Sequence, residues 1–139
     1  MTTPNDDDVK RQWTACVARF ADLLVFFATL KLSVSETQVA LAMGLPNADA
    51  LRRLLMKREL PPFSLLRDWY YVVIMLERDE AGNAVANWSL EQGSYPDVYY
   101  GFAQRVTGLR WGLIKRRGSL WAKRRAVNAW GPHMGFDVD

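Results

Sequence analysis

Cysteine and histidine are nearly absent from this chain: Cys16 and His133 are each the only one of their kind among 139 residues. One thiol cannot close an intramolecular disulfide, and one thiol with one imidazole cannot build a metal cluster within a single chain. Cys16 therefore reads as a small buried hydrophobe, and His133 lacks the partners of a histidine-driven nucleophile. No spacing brings a nucleophile, a base and an orienting group together, so neither an enzyme nor a cofactor or metal is expected. Long apolar runs are missing too. The most hydrophobic stretch, residues 20–32, is interrupted by Asp22, Thr29 and Lys31 and falls short of the roughly 20 residues that cross a bilayer. The first eight residues are polar and acidic, unlike the basic and then apolar start of a secretory leader. A cytoplasmic protein with no membrane partner is expected.

What the chain does have is a hydrophobic half and a charged quarter, the balance of a folded domain. Its net charge of +3 is unevenly spread. Asp6, Asp7 and Asp8 make the start acidic, whereas Arg105, Arg110, Lys115, Arg116, Arg117, Lys123, Arg124 and Arg125 follow one another with no carboxylate between them. Such a stretch suits an anionic partner, with nucleic acid the first candidate.

Helical periodicity organises every long segment, and no sustained alternation predicts a strand. Trp13, Val17, Phe20, Leu24, Phe27 and Leu30 recur at steps of three and four, which predicts one helix over 9–32 after an acidic, disordered start. Ser33 and Glu36 have the spacing of a capping box, and a short helix should follow to about Met43. Gly44 suits the left-handed residue that ends it, and Asn47 the N-cap of the next helix. That next helix carries Leu51, Leu54 and Leu55 on one side and Arg52, Arg53, Lys57 and Arg58 elsewhere, before Pro61 and Pro62. A long helix is expected from a Ser64 cap to about Glu80. Gly82 and Asn83 break it, a short helix lies within 84–92, and Pro96 fits the first turn of another. Setting Tyr99, Phe102, Ala103 and Val106 against Leu51, Leu54, Leu55 and Arg58 reveals a degenerate internal duplication. The predicted fold is all-α: an N-terminal segment 1–32, a first helix-turn-helix 33–63, a linking helix 64–81, a second helix-turn-helix 82–118, and a basic, Trp-containing tail 119–139.

These residues resemble the DNA-binding domain of AraC/XylS-type transcription regulators, over about 20–118. Val39-Ala40-Leu41-Ala42-Met43-Gly44-Leu45 is similar to that family's V-A-x-x-x-G pattern, and Leu51-Arg52-Arg53-Leu54-Leu55 to its L-x-R recognition helix. Gly93-Ser94-Tyr95, Tyr99 to Phe102 and Arg105-Val106-Thr107-Gly108-Leu109 resemble its F-x-R-x-F-x-x-x-T-G-L segment. Gly101 and Ala103 depart from it, standing where the family has an arginine and an aromatic. The resemblance implies a bacterial, sequence-specific regulator of transcription that binds duplex DNA, as a DNA-binding domain standing alone with no effector domain apparent.

By position the resemblance assigns Asp49, Arg52 and Arg53 to bases or nearby phosphates, and Asn47 joins them as a base-reading candidate. In the second unit the candidates are Asp97, Tyr100 and Arg105. Lys57, Arg110, Lys115, Arg116, Arg117, Lys123, Arg124 and Arg125 are candidates for phosphates, which give affinity without sequence information. Asp49 also fits a helix-dipole role, and the tryptophans 111, 121 and 130 fit core or partner packing at helical spacing. The alternative function is protein binding on a degenerate helix-turn-helix scaffold, to another protein or a second copy, through the N-terminal helix or the Trp-rich tail.

Overall fold

The computed structural model describes residues 5–135, and over these the chain is helix and turn throughout, with no strand. Helix α1 (Asp6–Arg19) opens on Asn5, whose side chain accepts from the Asp8 amide, and its first turn holds Asp6, Asp7 and Asp8. Carboxylates there oppose the partial positive charge of a helix start. The acidic residues 6–8 are thus helical rather than disordered; residues 1–4 and 136–139 lie outside the described residues.

The single helix expected over 9–32 ends at Arg19. A 3₁₀ turn, Ala21–Leu23, and a one-turn α2, Leu24–Phe27, follow. Phe20, Leu23, Phe27 and Leu30 are all fully buried, because 3₁₀ and α turns alike return a side chain to one face after three or four residues. Leu30 has a left-handed φ of 54°, which a non-glycine residue adopts at a cost. Its buried side chain and the Tyr99 hydroxyl donating to its carbonyl at 3.1 Å hold it there.

Next come α3 (Glu36–Ala42), α4 (Ala48–Lys57), the long α5 (Phe63–Glu80), α6 (Val85–Glu91), α7 (Pro96–Thr107) and α8 (Trp111–Met134). The capping box of α3 sits two residues later than expected: Ser35 accepts from the Gln38 amide and Gln38 returns the bond to Ser35. Similarly, α5 starts at Phe63 behind Pro62, with no side-chain cap, so Ser64 lies inside the first turn. Among the described residues no helix is long and apolar enough to cross a membrane.

The core forms where α1, α5 and α8 meet. Trp130, fully buried, stacks on Trp13 at 5.3 Å, takes Phe20 edge-on at 5.2 Å, and donates from Nε1 to the Leu65 carbonyl at 3.0 Å. Residues 119–134, expected as a basic tail, are therefore core helix. Trp130 meets Leu65, Lys123 meets Glu77 and Ser119 meets Glu80, so α8 runs antiparallel to α5. Its path bends at Gly118, whose φ of 87° and ψ of 172° are not helical. Glu80 accepts from both the amide and the hydroxyl of Ser119, capping the second half of α8. A Cβ at 118 would sit 3.2 Å from that carboxylate. Cys16 is buried, and burial pushes its thiol up to about 11.

Candidate nucleic-acid interface

Two helix pairs, α3–α4 and α6–α7, carry the base-reading candidates, and their turns are the same structure. Helices α3 and α6 are each seven residues long. In the first turn the Gly44 amide donates to Leu41 and the Leu45 amide to Ala40; in the second, Gly93 donates to Leu90 and Ser94 to Ser89. Both are Schellman motifs, which need a left-handed residue at the crossing. Gly44 (φ 80°) and Gly93 (φ 75°) supply it.

On α4, Leu51 and Leu55 are buried while Arg52 and Arg53 are exposed, because positions three and four apart share a helix face and their neighbours do not. Asn47 is spent on capping, its side chain accepting from the Ala50 amide at 2.9 Å. Its side-chain oxygen thus serves the helix start, and any approach to a base would fall to its amide NH2.

Arg52 is exposed but engaged. Its Nε donates to Glu36 at 3.0 Å and Nη1 to Asp49 at 2.8 Å. Glu36, by hydrogen bond and then by charge, raises the guanidinium pKa, with a smaller contribution from Asp49. Two of the five N–H donors are thus committed to carboxylates. Arg53 makes no ion pair among the described residues, and Lys57 stands exposed one turn on. Glu36 has no local sequence signal as an Arg52 partner, since it lies sixteen residues earlier.

The second pair is arranged differently. Tyr99, Phe102 and Ala103 are buried in the register of Leu51, Leu54 and Leu55. Tyr100 stacks on Trp111 at 5.7 Å, so its ring is occupied within the chain. Asp97 and Arg105 are exposed, and the Arg105 guanidinium lies across Gly101, 3.7 Å from where a Cβ would stand.

The basic stretch divides into paired and unpaired groups. Lys123 is largely covered, 3.1 Å from Glu77, with its ammonium 5.9 Å from the Trp13 ring centre, and Lys115 lies 3.8 Å from Asp79. Both pair with carboxylates across the α5–α8 seam. Arg124 is half-buried. Arg110, Arg116, Arg117 and Arg125 are exposed, with no carboxylate at ion-pair distance among the described residues.

At the far end of α4, Arg19 gathers three backbone carbonyls: Met134 at 3.1 Å, Arg58 at 3.3 Å and Glu59 at 3.0 Å. Arg58 in turn pairs with Asp22 at 2.7 Å. Sequence reasoning did not single out either contact, because both join segments distant along the chain. They fix the C-terminal end of α4 to α1 and α8. Among the described residues no group of three His, Cys, Asp or Glu side chains is placed to hold a metal. Comparison with protein-family models, curated proteins and solved structures finds no match.

Proposed function

We propose that the protein binds duplex DNA, with its two helix pairs acting as helix-turn-helix units of the kind found in AraC-type bacterial regulators of transcription in the cytoplasm. The observation that carries this reading is the α4 surface, where Arg53, Arg52 and Lys57 project away from a buried Leu51–Leu55 stripe. Arginine can bond a guanine at O6 and N7 together, and the major groove admits a helix. Arg53 is unpaired and ready for a base edge. Arg52 keeps three donors beyond its two carboxylate bonds, and the carboxylates beside it repel backbone phosphates, which favours a neutral base edge as its partner. The second unit, with Tyr100 stacked and Gly101 bare, adds position rather than sequence preference.

The test is quantitative binding to a randomised duplex library at two salt concentrations. A preferred site should emerge, and Arg53→Ala should erase preference at one base pair. No binding at low salt defeats the proposal. Protein binding on the same scaffold is the second reading, favoured by Met56 and Leu41, which are 76% and 59% exposed. Met56 also lines a groove of about 340 Å³ together with Arg52, Leu55, Leu60, Pro62 and His133.

A further inference from the structure

One row of side chains lies outside both helix pairs. Arg117 stands over the Trp121 ring with its guanidinium carbon 5.5 Å from the centre, and Arg125 stands over the same ring at 5.4 Å and over Trp69 of α5 at 5.6 Å. All three distances are within cation–π range. Both arginines are exposed, and neither has a carboxylate at ion-pair distance among the described residues. This contrasts with Lys115 and Lys123 on the same helix, each of which has an acidic partner on α5. Helical spacing puts Trp121 and Arg125 on the side of α8 opposite Lys123, Trp130 and Met134, the side that faces α1.

We infer that Arg117, Trp121 and Arg125 form a preorganised phosphodiester clamp, a contact line for the nucleic-acid backbone separate from α4 and α7. A planar guanidinium laid on a ring keeps its N–H edges outward and loses little freedom on binding, and its fork matches a phosphate's oxygens at two points. The bend at Gly118, held by Glu80, brings Arg117 from the first half of α8 against a ring in the second half. Two guanidiniums already occupy Trp121, so the ring is not an open platform for stacking single-stranded bases. The backbone of a duplex is the partner that fits. The inference rests on the duplex-binding reading but uses different residues.

The experiment measures binding of the full-length chain to a poly(dA-dT) duplex across a salt series, for wild type, R117A/R125A and R117K/R125K. Urea midpoints of each variant establish that it is folded under the assay conditions. Losing two phosphate contacts should reduce the slope of log affinity against log salt by about 1.8 for the alanine pair. The lysine pair keeps the charge and loses the stack, so the slope should persist while affinity at low salt falls at least about tenfold, because an ammonium offers no planar fork. An unchanged slope in R117A/R125A overturns the clamp, and lysines that bind as well as arginines overturn its preorganisation. Failure of the α4 reading looks different: Arg53→Ala would leave sequence preference intact while R117A/R125A still flattened the slope. No binding by wild type at low salt overturns both.

Discussion

The pair α3–α4 and the pair α6–α7 share one backbone device and almost no side-chain chemistry. Their Schellman turns match bond for bond, and buried positions recur at the same helical register. Yet α4 starts on an Asn47 cap and presents charge, whereas α7 starts on Pro96 with no side-chain cap and turns aromatics inward. Trp88 meets Tyr99 at 4.7 Å, and Phe102 meets Tyr71 of α5 at 6.0 Å. The second pair is thereby welded to the long helix. The first joins the same core through Val39, Ala40, Leu51 and Leu55, and its end is tied by Arg19 and the Asp22–Arg58 pair. A duplicated turn preserves geometry, and the outward residues are then free to diverge. On the proposed reading, one copy presents groups for DNA and the other braces it.

That division can be broken most directly in the core of the second pair. Phe102 is 5% exposed, and truncating a buried phenylalanine costs about 3–5 kcal/mol. Phe102→Ala should therefore lower the urea midpoint sharply. Because Phe102 and Leu55 belong to one continuous cluster, unfolding should remain a single transition by both far-UV circular dichroism and tryptophan fluorescence. Two separated transitions would show that the pairs fold independently and that the second does not brace the first.

The functional side of the comparison predicts an unequal response to DNA. Arg53→Ala should cost about 1–3 kcal/mol at the preferred site and little elsewhere. Tyr100→Ala, in the matching region of the second pair, should leave sequence preference unchanged. Equal losses of preference from both variants, measured by fluorescence anisotropy on preferred and scrambled duplexes, would make the two units equal readers.

Much of this arrangement was legible in the sequence, for identifiable reasons. Gly44, Asn47, Gly93 and Pro96 each have strong local conformational or capping preferences, and the structure uses each one. Leu51 and Leu55 against Arg52 and Arg53 follow from helical spacing alone. The 9–32 segment misled because an apolar residue every three or four positions is equally satisfied by a straight helix and by short turns bending around a core. Ser33 and Glu36 matched a capping box that Ser35 and Gln38 form instead; side-chain spacing alone does not set its frame. The partners of the basic residues were not legible at all. Whether Lys123 meets a phosphate or Glu77 depends on the antiparallel register of α5 and α8, which no local pattern encodes.

The shared turn makes its own prediction. Gly44 and Gly93 have no atom within 4 Å of an added Cβ, so Gly→Ala at either site meets no steric clash and is penalised only for its left-handed backbone. That conformation costs an L-residue about 1–2 kcal/mol. Gly44→Ala and Gly93→Ala should be destabilising by the same amount within error in urea unfolding. A marked difference would mean that the identical hydrogen bonds conceal different strain in the two pairs.

The smallest effect concerns Gly101, and it separates bracing from contact. Gly101 lies within the helical α7 without the positive φ of Gly44 or Gly93, and an added Cβ would meet only the Arg105 guanidinium, at an ordinary 3.7 Å. Among the described residues nothing requires a glycine there. Gly101→Ala should stabilise the protein by about 0.5–1 kcal/mol, the helix-interior advantage of alanine, read as a higher urea midpoint. If the second pair only braces the first, duplex affinity should be unchanged in the same variant. A protein that becomes more stable yet binds DNA less well would show that the bare backbone at Gly101 approaches the duplex closely. In that case the second pair contributes contact through the absence of a side chain, and the division between reader and brace gives way to two readers of different kinds.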